Sequence, residues 1–169
     1  RELLINRSGP LPGDTTHSIK LFGAKDFVFG AVHDVLTGLA LRAHSGEPTS
    51  RIGGSAVLPY VDQVFITPRG SEERLPWVAS IDLKLGYGYR LDANKSVQAT
   101  MDIYNLFNFQ AATAVDQRYT ASPVQPSTNG AAIANGDGTP FSGVVNANYG
   151  KPTQYQPPRT FRFGLKTTF

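Results

Sequence analysis

A chain of 169 residues is long enough for one domain of ordinary size, but its net charge of +3 is spread without any Lys/Arg block, which argues against a nucleic-acid partner. The absence of cysteine excludes disulfides, thiolate metal ligands and a cysteine nucleophile, and no run of about 18 apolar residues offers a membrane-spanning helix. Gly 17, Pro 12, Phe 10 and Tyr 7 point instead to β structure with long loops. The chain opens on Arg1 with no charged-then-apolar leader, so a mature or cut fragment is expected.

Period-2 alternation predicts five strands in chain order. The first covers about 15–24, where His17, Ile19 and Leu21 alternate with Ser18, Lys20 and Phe22. The second covers about 38–46, with Leu39, Leu41 and Ala43 against Ala40, Arg42 and His44. The third, about 76–90, sets Ala79, Ile81, Leu83, Leu85, Tyr87 and Tyr89 against Ser80, Asp82, Lys84, Gly86 and Gly88. The fourth, about 96–109, sets Val97, Ala99, Met101 and Ile103 against Gln98, Thr100 and Asp102. The last, about 158–169, sets Phe161, Phe163, Leu165 and Phe169 against Arg162, Gly164, Lys166 and Thr168. Each strand thus has one uncharged apolar face and one polar face.

The links between these strands alternate in length. Residues 25–37 and 90–95 are short, whereas 46–76 and 110–157 are long and rich in Gly, Pro, Ser, Asn and Thr. A transmembrane β-barrel explains this rule, because its periplasmic turns are short and its extracellular loops long. The aromatics agree: Trp77, Phe107, Phe109, Phe161 and Phe163 are expected at the long-loop ends, and Tyr87, Tyr89 and Phe169 at the short-turn ends. Five strands do not close a barrel, for which about eight is the practical minimum. The expected fold class is therefore all-β, the last five antiparallel strands of a larger transmembrane barrel.

Four stretches carry a family resemblance: "GPLPGDTTHSIKLFGAKDF" (9–27), "SGEPTSR" (45–51), "LPWVASIDLKLGYGYRL" with "VQATMDIYNLFN" (75–108), and "YGKPTQYQPPRTFRFGLKTTF" (149–169). Together they resemble the C-terminal end of a TonB-dependent outer-membrane receptor of the Oar-like branch. The resemblance implies a barrel of about 22 strands, of which this chain would be the end, with the plug domain and TonB box lying outside it. It also implies a location in the bacterial outer membrane. The implied function is movement of a bulky solute or polypeptide, without enzymatic activity or cofactor. The implied partners are outer-membrane lipid, the remaining strands and plug of the parent chain, the TonB complex and the barrel-assembly machinery. The ending fits the assembly signal such barrels carry, with Arg162, Gly164 and Phe169 in place and Thr167 departing where a bulky apolar residue is usual. A structural or adhesive barrel that transports nothing is the rival reading.

Within a barrel the polar faces place Lys20, Arg42, His44, Asp82, Lys84, Asp102, Arg162 and Lys166 along the lumen, with Lys84 and Asp102 able to pair across the ladder. Recognition is expected on the long loops, whose aromatics are Tyr60, Phe65, Tyr119, Phe141, Tyr149 and Tyr155. These rings serve equally to pack the loops on one another. Asn135, Asp137 and Thr139 are spaced like the start of an oxygen-ligand calcium loop. Pro140 follows, however, and no Glu stands at the twelfth place, so a turn cluster is the better account.

Overall fold

The computed structural model describes residues 4–55 and 63–169; Tyr60 lies outside the described residues. The described residues contain no α-helix, and the chain divides into two compact units. One unit comprises His17–His44, Trp77–Ala111 and Gln156–Phe169; the other comprises Arg1–Thr16, Ser45–Pro76 and Ala112–Tyr155.

The first unit is a five-stranded antiparallel sheet built from β1 (Ser18–Phe29), β2 (His33–His44), β5 (Val78–Asp92), β6 (Lys95–Tyr104) and β11 (Thr160–Thr168). The spatial order β1-β2-β5-β6-β11 follows the chain, with every neighbour antiparallel. Register makes the two faces explicit, because partners opposite each other point to the same side. One face carries the rows Leu21–Leu41–Ile81, then Gly23–Leu39–Leu83–Ile103–Phe161, then Lys25–Thr37–Leu85–Met101–Phe163, then Phe27–Val35–Tyr87–Ala99–Leu165. This face has no sealed core beneath it: Leu21, Leu39, Phe161, Phe163 and Leu165 are all more than half exposed.

Several strand limits differ from the expected ones. The link expected over 25–37 shrinks to residues 30–32, because β1 continues to Phe29 and β2 begins at His33. Gly23, Ala24 and Lys25 interrupt the apolar alternation there and hide the strand. Gly30 turns the chain at φ 64, a left-handed value that glycine adopts without a Cβ penalty. The extension also places Lys25 on a face expected to be uncharged. Its Nζ lies 5.2 Å from the Phe27 ring centroid, so its stem follows the apolar surface while the ammonium rests over a ring. The fourth strand ends at Tyr104 and not near 109, because Asn105 adopts φ 52 and breaks the ladder.

The second unit consists of segments expected to be irregular, yet they form two small sheets. β3 (Ile52–Ser55), β4 (Gln63–Phe65), β8 (Arg118–Gln125) and β9 (Ala134–Asn135) form one in the order β4-β3-β8-β9, and β7 (Ala112–Val115) pairs with β10 (Pro152–Tyr155). Val64, Ile66 and Val124 are buried together, with Tyr119, Ile133 and Phe141 packed on them. Gly53 lies against this cluster, where an added Cβ would meet the Val124 side chain. Strands of two to eight residues containing Gly and Pro leave little periodic signal, so composition alone marked these segments as loops.

Candidate functional site

The polar face of the five-stranded sheet collects every residue expected to line a lumen. Lys20 stands opposite Arg42, Lys84 opposite Asp102, Asp102 opposite Arg162, His44 opposite Ser18 and Val78, and Lys166 opposite Gln98. Asp82 shares this side through its partner Ala40, which stands opposite Phe22.

Two ionic groups form on the face. Arg162 donates from Nε and Nη2 to Asp102 Oδ2 at 2.9 and 2.7 Å, and Lys84 Nζ donates to Oδ1 at 3.1 Å. One carboxylate, only 7% exposed, thereby holds two cations from the strands on either side. The Arg162 guanidinium also lies 5.4 Å from the Tyr104 ring centroid. The second group centres on Asp82, which accepts Arg42 Nη2 at 2.7 Å, the Ser80 hydroxyl at 2.6 Å and the Asn105 backbone N–H at 2.9 Å. Lys20, His44 and Lys166 belong to neither group.

Asn105 ties the Asp82 group to the start of the last strand. Its Nδ2 donates to the carbonyls of Phe109 and Pro157, each at 2.9 Å, and its Oδ1 accepts from the Phe109 N–H. Asn tolerates the left-handed backbone needed here, and its short amide reaches both chains. The run 102–108 singled out in the sequence is thus a clasp, with Asn108 Oδ1 accepting from the Arg159 N–H. Sequence reading missed this role, since the hydrogen bonds span 51 and 52 residues of chain.

Aromatics gather at both ends of the sheet. His17 stacks on Trp77 at 6.1 Å beside the long connections. At the short turns the His33 ring lies 5.3 Å from Tyr89, and its Nδ1 is 2.8 Å from the Tyr87 hydroxyl. Phe163, in contrast, stands mid-sheet in the row of Leu85 and Met101. In the assembly-signal positions, Arg162 is committed to Asp102, Gly164 opposes Thr100, and Phe169 is 90% exposed.

In the second unit the centre is Arg51, which sequence reading did not single out. Its Nη2 donates to Glu72 Oε2 at 3.0 Å, and the guanidinium lies 5.2 and 5.8 Å from the Tyr119 and Tyr149 ring centroids. The hydrogen bond to the Tyr149 hydroxyl raises the Arg51 pKa, burial opposes it, and the Glu72 charge adds to the rise. Arg51, Glu72, Asp116, Gln117 and Tyr149 border a cleft of about 340 Å³. Of the loop aromatics, Tyr119, Phe141 and Tyr149 contact one another in series. Phe65 is half-buried in β4, and Tyr155 in β10 is 59% exposed. The calcium-like spacing is spent internally: Asp137 Oδ1 accepts the N–H and hydroxyl of Thr139, and Asn135 Nδ2 donates to Thr139 Oγ1 and the Pro140 carbonyl. Those bonds hold the Asp137 carboxyl below its usual range, the Thr139 hydroxyl contributing most. Among the described residues no group of three or more His, Asp or Glu is placed to hold a metal ion.

No protein-family model matches the chain, and no solved structure matches it. A curated relative does: the TonB-dependent transporter Oar of Myxococcus xanthus is 40% identical over 184 aligned residues, which cover 99% of this chain. The chain spans 17% of that relative's length. The antiparallel all-β sheet and near-complete coverage together make this chain the homologue of a segment of an Oar-like TonB-dependent transporter.

Proposed function

We propose that this chain supplies the last five strands of an outer-membrane β-barrel whose parent protein is a TonB-dependent transporter. The observation that carries the reading is the register of the sheet: its apolar rows, with Lys25 among them, form one surface, and Lys20, Arg42, Asp82, Lys84, Asp102, Arg162 and Lys166 lie on the other. An aqueous protein would cover such an apolar face, whereas lipid is its natural solvent. The outer edges of β1 and β11 pair with no other described strand. In hydrocarbon each unpaired backbone group costs several kcal/mol, so the remaining strands of the parent chain would close the barrel at these edges.

On this reading Leu21, Leu39, Leu83, Phe163 and Leu165 face lipid, and Lys20, Arg42, His44, Asp82, Lys84, Asp102, Arg162 and Lys166 face the lumen. The segments around Arg51 and Tyr149 are extracellular, and the exposed Tyr155 belongs to the surface that meets a ligand. The parent protein moves a bulky solute or polypeptide, driven by the TonB complex through its N-terminal part. Arg162, Gly164 and Phe169 act as the signal to the barrel-assembly machinery.

The test is fractionation of cells carrying the full parent chain. The parent is expected in the outer membrane with heat-modifiable gel migration, and deletion of Phe169 should lower that yield severalfold. Recovery of the intact parent in a soluble fraction would overturn the reading.

A further inference from the structure

One residue departs from the chemistry of the apolar face. Across its four rows Lys25 is the one charged side chain, in the row Lys25–Thr37–Leu85–Met101–Phe163. Among the described residues it has no ion-pair partner, and the nearby acids Asp26 and Asp34 lie on the opposite face. Its ammonium leans toward the short turns, since Phe27, whose ring centroid is 5.2 Å from Nζ, stands in the next row on that side. Lys25 precedes the end of its strand at Phe29 by four residues. That is about 10 Å of depth at a rise of about 3.3 Å per residue and a tilt of about 40°. A lysine stem leaning that way carries its charge toward the level of lipid headgroups.

On the other side of Lys25, toward the long connections, the same face is hollowed. Gly23 leaves the row of Leu39, Leu83 and Ile103 one side chain short, and an added Cβ there would meet nothing within 4 Å. Gly23, Lys25, Thr37, Leu39 and Leu83 border a hollow of about 350 Å³. The Thr37 hydroxyl is spent on the Lys25 carbonyl at 3.2 Å, so Leu39 and Leu83 set the character of the walls. Strands that close a barrel join the free edges of β1 and β11, beside this face and not over it. A cation on the short-turn side and an aliphatic hollow toward mid-membrane repeat the polarity of a phospholipid in the periplasmic leaflet.

We infer that this place on the apolar face seats one phospholipid with a net anionic headgroup, its phosphate against Lys25 and one acyl chain along the Gly23 hollow. The inference rests on the lipid-facing placement of this face proposed above. An uncompensated ammonium is costly on a lipid-facing surface, and a headgroup phosphate is the counter-charge available at that depth. Zwitterionic headgroups offer the same phosphate together with a cation that repels Lys25, so the net negative headgroup is preferred. The missing side chain at Gly23 gives the chain of the same molecule its seat, and the two ends are recognised together.

The experiment places a bimane fluorophore on Leu85→Cys of the full parent chain, opposite Thr37 in the Lys25 row. The protein is reconstituted in vesicles of phosphatidylcholine with a minor fraction of phosphatidylglycerol. Bromine on the chains of one lipid or the other quenches the probe, and the two quenching values give the local ratio of the lipids. Phosphatidylglycerol is expected to be enriched about fivefold over its bulk ratio. Lys25→Gln and Gly23→Leu should each return the ratio to the bulk value, Lys25→Arg should keep the enrichment, and Lys166→Gln, on the opposite face, should leave it unchanged. Lys25 is exposed and the space at Gly23 is open, so both variants should fold, which heat-modifiable migration checks. Quenching by both lipids at the bulk ratio, or enrichment that survives Lys25→Gln or Gly23→Leu, overturns the inference and leaves the lipid-facing reading standing. Absence of quenching by either lipid means that protein covers this position, and overturns that reading and the inference with it.

Discussion

The three-residue network around Asp102 permits a quantitative test of how the sheet is held. Replacing Asp102 with Ala removes three charge-assisted hydrogen bonds and leaves Lys84 and Arg162 with no anion between them. Hydrogen bonds to charged groups contribute about 1.5–3 kcal/mol each when sheltered. Here Asp102 is sheltered, but the Lys84 and Arg162 side chains are 42% and 64% exposed, so solvent screens them. We therefore expect a total loss of about 2–3 kcal/mol for Asp102→Ala, below the roughly 3–5 kcal/mol of a fully buried pair. A double-mutant cycle with Arg162→Ala isolates the pair from the ring contact that Arg162 makes with Tyr104, and should show a favourable coupling reduced by the exposure of the guanidinium. The assay is equilibrium urea unfolding of the parent barrel in lipid vesicles, repeated at high salt, where the coupling should shrink. Additivity of the two single variants within about 0.3 kcal/mol would refute the network's role.

Two further outcomes follow from individual residues. Asn105→Ala loses its side-chain hydrogen bonds and also forces an L-residue with no compensating amide into φ 52, whereas Asn105→Gly loses only the bonds. In the same unfolding assay the Ala variant should fall below the Gly variant by about 1 kcal/mol; equal loss would mean that backbone conformation contributes nothing there. For Asp137 the folded pKa is depressed by Thr139, so its contribution is present above the ordinary carboxylate value and lost as pH falls through the lower folded value. Amide-exchange protection over 134–143, corrected for intrinsic rates, should therefore hold at neutral pH and decline below about pH 4; constant protection to lower pH would contradict this.

How much of this was legible in sequence follows from the range of each interaction. Alternation in 79–90 and 160–166 is uninterrupted, so period 2 located those strands and assigned Asp82, Lys84 and Arg162 to one face. Where Gly23, Ala24 and Lys25 blur the pattern, the first strand ran five residues beyond its expected end near 24. The salt bridge of Lys84 with Asp102 was within reach because a tight turn brings adjacent strands together. Arg162 with Asp102, 60 residues apart, required the register of the last strand. Arg51 was invisible because its partners Glu72, Tyr119 and Tyr149 come from three separate segments joined by parallel and irregular pairing. Parallel contacts between short strands leave no local periodic trace.

The central claim is that the two faces of this sheet meet different solvents. Single cysteines placed in the parent chain at Ile81, Asp82, Leu83, Lys84 and Leu85 test it directly, since these five neighbours in β5 alternate between faces. In outer-membrane vesicles a water-soluble maleimide should label positions 82 and 84, while a lipid-phase carbene reagent should label 81, 83 and 85. Uniform labelling along the strand, or aqueous labelling of 81, 83 and 85, would contradict the account.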